Sequence, residues 1–171
     1  MVGARSASLE RPSWVPAVAL SSLLVAGLMA WDPHVHDLAA HVYRVELFKR
    51  SGFVLWNASW YGGHYTLTHS VLFPPLAALL GARVVGALAV IASTYLFDRL
   101  VNERWGERAR AATLWFGAGA VTMLASGRLS FALGIALALA SLYALQRAPA
   151  VASHAEARAA PRARRRRRER S

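Results

Sequence analysis

The sequence predicts an all-α integral membrane protein: about four transmembrane helices, an external amphipathic interfacial helix and a short re-entrant segment. Three observations carry this expectation. Apolar residues make up 56% of the 171 positions and charged residues 17%, where soluble domains have about 45–50% and about 25%. The apolar residues are gathered into long runs with the charges lying between them, which is the pattern of membrane spans. The basic residues then fall where a four-span topology puts them on one side.

The first run, Trp14–Trp31 (WVPAVALSSLLVAGLMAW), has no charge and a Trp at each end. Its length is close to the roughly 20 residues that cross a bilayer, and Trp favours the interfaces. No small-x-small cleavage site follows it, so an uncleaved span is expected over a signal peptide. Residues 1–13 form a polar N-terminus. The loop 32–70 holds five of the six His residues. Within it, Val35, Leu38, Val42, Val45 and Phe48 recur at helical steps, and His34, Asp37, His41 and Arg44 form an opposing stripe. This predicts a surface helix over 34–50. Gly52, Gly62 and Gly63 should break regular structure after it.

Residues 71–82 are too short to cross alone, and Pro74 and Pro75 suit a first helical turn. They are expected to form an interfacial or re-entrant piece before a span near 83–98; one long kinked span over 71–98 is the alternative. Arg83 would snorkel to the outer surface or face a wet cavity. A charged connector, DRLVNERWGERAR, leads to spans near 111–125 and 129–145, joined by the turn Ser126-Gly127-Arg128. The membrane domain is thus 14–147. Residues 148–171 form a basic tail with no apolar face, expected to be disordered.

The net charge of +11 is uneven. Residues 147–171 hold nine Arg against two Glu, and the rest of the chain eleven basic residues against seven acids. Such a tail fits anionic lipid better than nucleic acid beside so many spans. The N-terminus, the connector and the tail are the basic segments, and four spans place all three in the cytoplasm. The expected location is therefore the cell membrane, multi-pass, with both termini cytoplasmic and the long loop outside. The absence of Cys excludes disulfides, Cys-ligated zinc and a Cys nucleophile. No phosphate-binding Gly loop, zinc-protease motif or Ser nucleophile motif occurs. No acid is expected inside a span, which argues against proton-coupled transport.

The outer loop concentrates the chemistry. Asp37 is placed to act as a general base toward a hydroxyl, with His41 one turn on. Asp37, His41 and His34 at that spacing could also ligate a divalent metal, although no metal set is assigned. Arg44 is positioned for a phosphate, since guanidinium grips it bidentately. Trp56, Trp60 and Tyr61, with His64, could contact a sugar ring. Each has a plainer alternative: a surface helix needs a polar side, cations anchor at interfaces, and aromatic residues form belts there.

The order of a first span, the loop DLAAHVYRVELFKR, the stretch LWNASWYGGHYTLTHSVLFPPLAALLG and closely spaced spans resembles the N-terminal part of large actinobacterial membrane proteins. Those are similar to the GT-C superfamily of glycosyltransferases. The resemblance covers about 14–147. It implies a polyprenyl-phosphate sugar as donor and a catalytic acid in the first external loop, with Asp37 the best match and Asp32 the fallback. The chain departs from that pattern in passing to an Arg/Ala/Pro tail after the fourth span, which implies a truncated or out-of-frame ending. The alternative expectation is a non-enzymatic membrane subunit that binds a partner or anionic lipid.

Overall fold

The structure is a computed structural model that describes residues 12–58, 62–64, 66–67 and 70–148. Its helices are α1 (Trp14–Trp31), α2 (His36–Ser51), α3 (Phe73–Leu80), α4 (Ala82–Trp105), α5 (Arg110–Ala125) and α6 (Leu129–Arg147). Two short strands, β1 (Trp56–Asn57) and β2 (Thr66–Leu67), lie between α2 and α3. Three stretches are long and apolar enough to cross a membrane: Trp14–Trp31, Ala82–Ala125 and Leu129–Arg147. The middle one folds back on itself. Gly106, at φ 55°, ends α4, and a 3-10 turn over Gly106–Ala109 leads into α5, which packs along α4.

The ends of the helices follow from local chemistry. Asp32 closes α1 in the left-handed conformation at φ 50°, and its N–H donates to the Leu28 carbonyl. Asp tolerates that region because its short side chain bonds locally, and Pro33 cannot continue the helix. Pro74 and Pro75 open α3, where missing N–H groups cost nothing. The Phe73 N–H there is taken by the Ser70 hydroxyl at 3.3 Å. Gly81, at φ 90° and ψ 141°, separates α3 from α4. Few other residues adopt such a backbone, so the expected alternative of one long kinked helix is replaced by a sharp break.

Helix α4 is the centre of the bundle and packs against α1, α3, α5 and α6. Its buried face is small: Gly86, Ala87, Ala89, Ser93 and Thr94 among others. Small residues let helices approach closely where lipid offers no hydrophobic drive to bring them together. A close approach of three helices lies at Gly117 on α5. A Cβ there would sit 3.0 Å from Thr94 Cγ2 and 3.1 Å from the Ala17 carbonyl oxygen on α1. Further along, Gly86 leaves room for Leu129 and Leu124. Phe97 on α4 stacks on Phe116 of α5, with centroids 4.1 Å apart.

Two sets of contacts define the two ends of the bundle. At one end the Ser13 hydroxyl donates to Asp98 Oδ2 at 3.1 Å, Trp14 meets the edge of Tyr95, and Arg147 donates to Glu103 at 2.8 Å. At the other, α2 lies over the turn between α5 and α6. A Cβ on Gly127 would come within 2.8–3.3 Å of Val35, Asp37 and Leu38. The start of α1, the connector and the end of α6 therefore share one end, and α2 the opposite one.

One sequence expectation needs correction here. Helix α4 does not stop near 98 but runs on to Trp105. Asp98, expected to begin a charged connector, is fully buried, with Oδ1 accepting from Asn102 Nδ2 at 2.6 Å and Oδ2 from Ser13. A buried carboxyl is tolerable only with such partners. Gly52 ends α2 at φ 68°, and Gly62 and Gly63, at φ 60° and 91°, lie between the two strands, in which Trp56 pairs with Leu67 and Asn57 with Thr66 in an antiparallel hairpin.

Replacing Gly117 with Val should lower thermal stability in detergent by about 1–3 kcal/mol, because the Ala17 backbone cannot yield as a side chain does. Gly134→Ala, which meets open space, should leave the midpoint unchanged or raise it. Equal midpoints for the two variants would contradict the close-packed seam.

Candidate functional site

The candidate site is built on α2. Asp37 lies in its first turn, where the helix N-terminus favours an acid, and Lys49 and Arg50 lie in its last. Asp37 is exposed, beside the Gly127 turn. Among the described residues its carboxylate has no hydrogen-bond or ion-pair partner. Asp32, the fallback acid, is committed elsewhere: it forms an ion pair with Arg83, which also donates from Nη2 to the Pro33 carbonyl at 3.0 Å. Asp32 is 71% exposed and Arg83 26%, so the pair orients Arg83 more than it stabilises the fold. Arg83 thus fastens the start of α4 to the end of α1 while still lining the open space beside α2.

The polar stripe expected on α2 does not hold as drawn. His41 is 5% exposed, whereas Val42, expected on the apolar face, is 54% exposed. The reason is α3. Phe73, almost wholly buried, packs against the His41 ring at 4.9 Å between centroids, and Val45 is buried one turn on. Docking on α3 therefore rotates the inward face of α2 toward 38, 41, 45 and 48. His41 is part of the α2–α3 contact and does not stand beside Asp37 on a solvent face. Arg44 is half-buried and lines a small cavity with Phe48, Phe53 and Pro74.

The aromatic residues divide. Trp56 is exposed on β1, and the hairpin that carries it is tied to α2 by the Tyr43 hydroxyl, which donates to Asn57 Oδ1 at 3.1 Å. His64 is exposed just past the glycine turn. Trp60 and Tyr61 lie outside the described residues. No group of three or more His, Asp or Glu that could hold a metal occurs among the described residues.

The face of α2 next to its docked one is open. It forms one wall of a groove of about 980 Å³, lined by Val35, Leu38, Val42 and Leu47, with His34 and Arg83 toward one end and Glu46 and Arg50 toward the other. Sequence reasoning missed this feature, because Val42 was placed on the buried face of the helix and is instead exposed. Asp37 and His41 do not line it. No known protein family, curated protein or solved structure matches the chain.

Helix α2 is held by few contacts besides its seat on α3. Phe73→Ala should cost about 3–5 kcal/mol and speed backbone hydrogen exchange across 36–51, and His41→Ala should do the same to a lesser degree. Asp37→Asn should leave that exchange unchanged. Wild-type protection in Phe73→Ala would show that α2 is seated by something else.

Proposed function

We propose that the chain is a multi-pass protein of the cell membrane and is, or is part of, a GT-C-like glycosyltransferase that uses a lipid-linked sugar at the outer face. In this reading α1, α4, α5 and α6 are four spans, both termini are cytoplasmic and α2 lies in the outer interface. The observation that carries it is the position of Asp37. Of the two acids before α2 and in its first turn, Asp32 is occupied by Arg83, and Asp37 is exposed and unengaged among the described residues. It stands where the resemblance to GT-C proteins places a catalytic acid.

The chemistry follows from that position. The Asp37 carboxylate accepts the proton of an acceptor hydroxyl as its oxygen attacks the anomeric carbon. The bond from that carbon to the phosphate oxygen breaks, and the lipid phosphate leaves with the electron pair. His41 acts by seating α2 and so positioning Asp37. Trp56, Trp60, Tyr61 and His64 are the sugar-facing candidates and Arg44 a phosphate contact. Three apolar stretches long enough to cross a membrane support the embedding.

A second reading is favoured by the open apolar face of α2: a non-enzymatic membrane subunit that binds a partner through the outer loop and anionic lipid through the tail. The two separate on one variant. With membranes supplying polyprenyl-phosphate sugars, Asp37→Asn should reduce transfer by at least about 100-fold at unchanged expression. Transfer at the wild-type rate in that variant would remove the assignment.

A further inference from the structure

Between Arg50 and Arg83 the chain has no Asp, Glu, Lys or Arg; residues 51–82 carry no formal charge. A stretch of that length in a soluble domain would hold about eight charged residues. Large apolar side chains are nevertheless exposed in it. Phe53 is 65% exposed and Leu72 56%, and Leu55 and Val71 are exposed with them. Apolar surface of this kind is costly in water, and a contiguous patch of it marks contact with a protein or a membrane.

These side chains are gathered and held. Phe53, Leu55 and Val71 line one small cavity with Pro74, so the two ends of the hairpin loop meet there, between the end of α2 and the start of α3. Phe53 sets its edge against Phe48 of α2, with centroids 5.0 Å apart and planes at 71°. The exposed apolar surface then continues along α3. Leu72, Leu76, Leu79 and Leu80 recur at the steps of one helical face and are exposed, while Phe73 and Ala77 on the other face are buried. Past Gly81, the exposed Val84 and Leu88 carry the same surface onto α4, which lies in a stretch long and apolar enough to cross a membrane. The charge met on the way is Arg83, which is tied to Asp32 and the Pro33 carbonyl. At the far end of the hairpin the residues are small or polar: Gly62, Gly63 and His64 are exposed there.

From this continuity we infer that the base of the hairpin and the exposed face of α3 form an uncharged wedge inserted in the outer leaflet. Phe53, Leu55, Val71 and Leu72 lie among the acyl chains. Lys49, exposed in the last turn of α2, lies at the level of the phosphates, and the glycine turn with His64 stands in water. The partner is the bilayer that surrounds the bundle. The inference rests on the membrane embedding proposed above, goes beyond the placing of α2 at the interface, and is independent of any sugar transfer. The wedge fixes the C-terminal end of α2 against the membrane, as Phe73 fixes its middle against the bundle.

The test uses the full chain, which has no Cys, with single cysteines spin-labelled in vesicles of palmitoyl-oleoyl phosphatidylcholine and phosphatidylglycerol. Collision with oxygen reports lipid, and collision with nickel ethylenediaminediacetate reports water. Leu23→Cys, at a 73% exposed position of α1, marks the hydrocarbon, and His64→Cys marks the aqueous side. Phe53→Cys and Leu72→Cys should behave like Leu23→Cys, with nickel collision at least about tenfold lower than at His64→Cys, because a polar complex enters hydrocarbon only at a cost above one tenfold step. Should Phe53→Cys fail to fold for want of its contact with Phe48, Leu72→Cys decides alone. Nickel access at Leu23→Cys would remove the embedding and the wedge with it. A shielded Leu23→Cys beside Phe53→Cys and Leu72→Cys as open to nickel as His64→Cys would remove the wedge alone. Low collision with both reagents at Phe53→Cys and Leu72→Cys would show that protein covers them, a second copy or another subunit, and would overturn the lipid contact.

Discussion

The close approach of α1, α4 and α5 at Gly117 is the constraint on which the rest of the structure depends. Apolar surface alone does not order helices that are apolar all round. What orders these is a seam of small residues, with Gly117 facing Thr94 and the Ala17 carbonyl. Once α4 is fixed there, its start is fixed too. Gly81 then turns the chain back into α3, Arg83 ties α4 to the end of α1, and Phe73 on α3 offers the surface on which α2 docks. The position of Asp37 is the last step in that series.

This dependence explains why polar groups are buried in so apolar a chain. Ser21, Ser93, Thr94 and Thr113 are all buried within the bundle. Thr94 and Ser21 bond to carbonyls within their own helices at 3.0 and 3.1 Å, so they cost little and keep the interfaces narrow. Asp98 differs. It joins the residue before α1 to α4 through Ser13, and to the next turn of α4 through Asn102. It thus closes the end of the bundle opposite α2.

The parts of the fold that were legible in the sequence are those with long uniform signals. The apolar run bounded by Trp14 and Trp31 is α1, and the proline pair at 74–75 opens α3. What was not legible depended on a partner distant in sequence. Polarity placed His41 on a solvent stripe, but Phe73, thirty-two residues on, draws it inside. Asp98 reads as the start of a connector until Ser13 is seen beside it. Strands of two residues, as at Trp56–Asn57, have no periodicity to read. Of the candidate site, Asp37 was legible as an acid on the helix that follows the first apolar run, whereas the open face of α2 depends on which side of it docks against Phe73. Trp60 and Tyr61 fall outside the described residues.

The central claim is that the bundle crosses the membrane with α2 on the outer face and the α4–α5 turn on the inner one. The chain has no Cys, so single cysteines can be placed without background and labelled with a membrane-impermeant maleimide in intact cells. The account predicts that His64→Cys is labelled directly and that Glu107→Cys is labelled only after permeabilisation. Labelling of both from outside, or of Glu107→Cys alone, would contradict it.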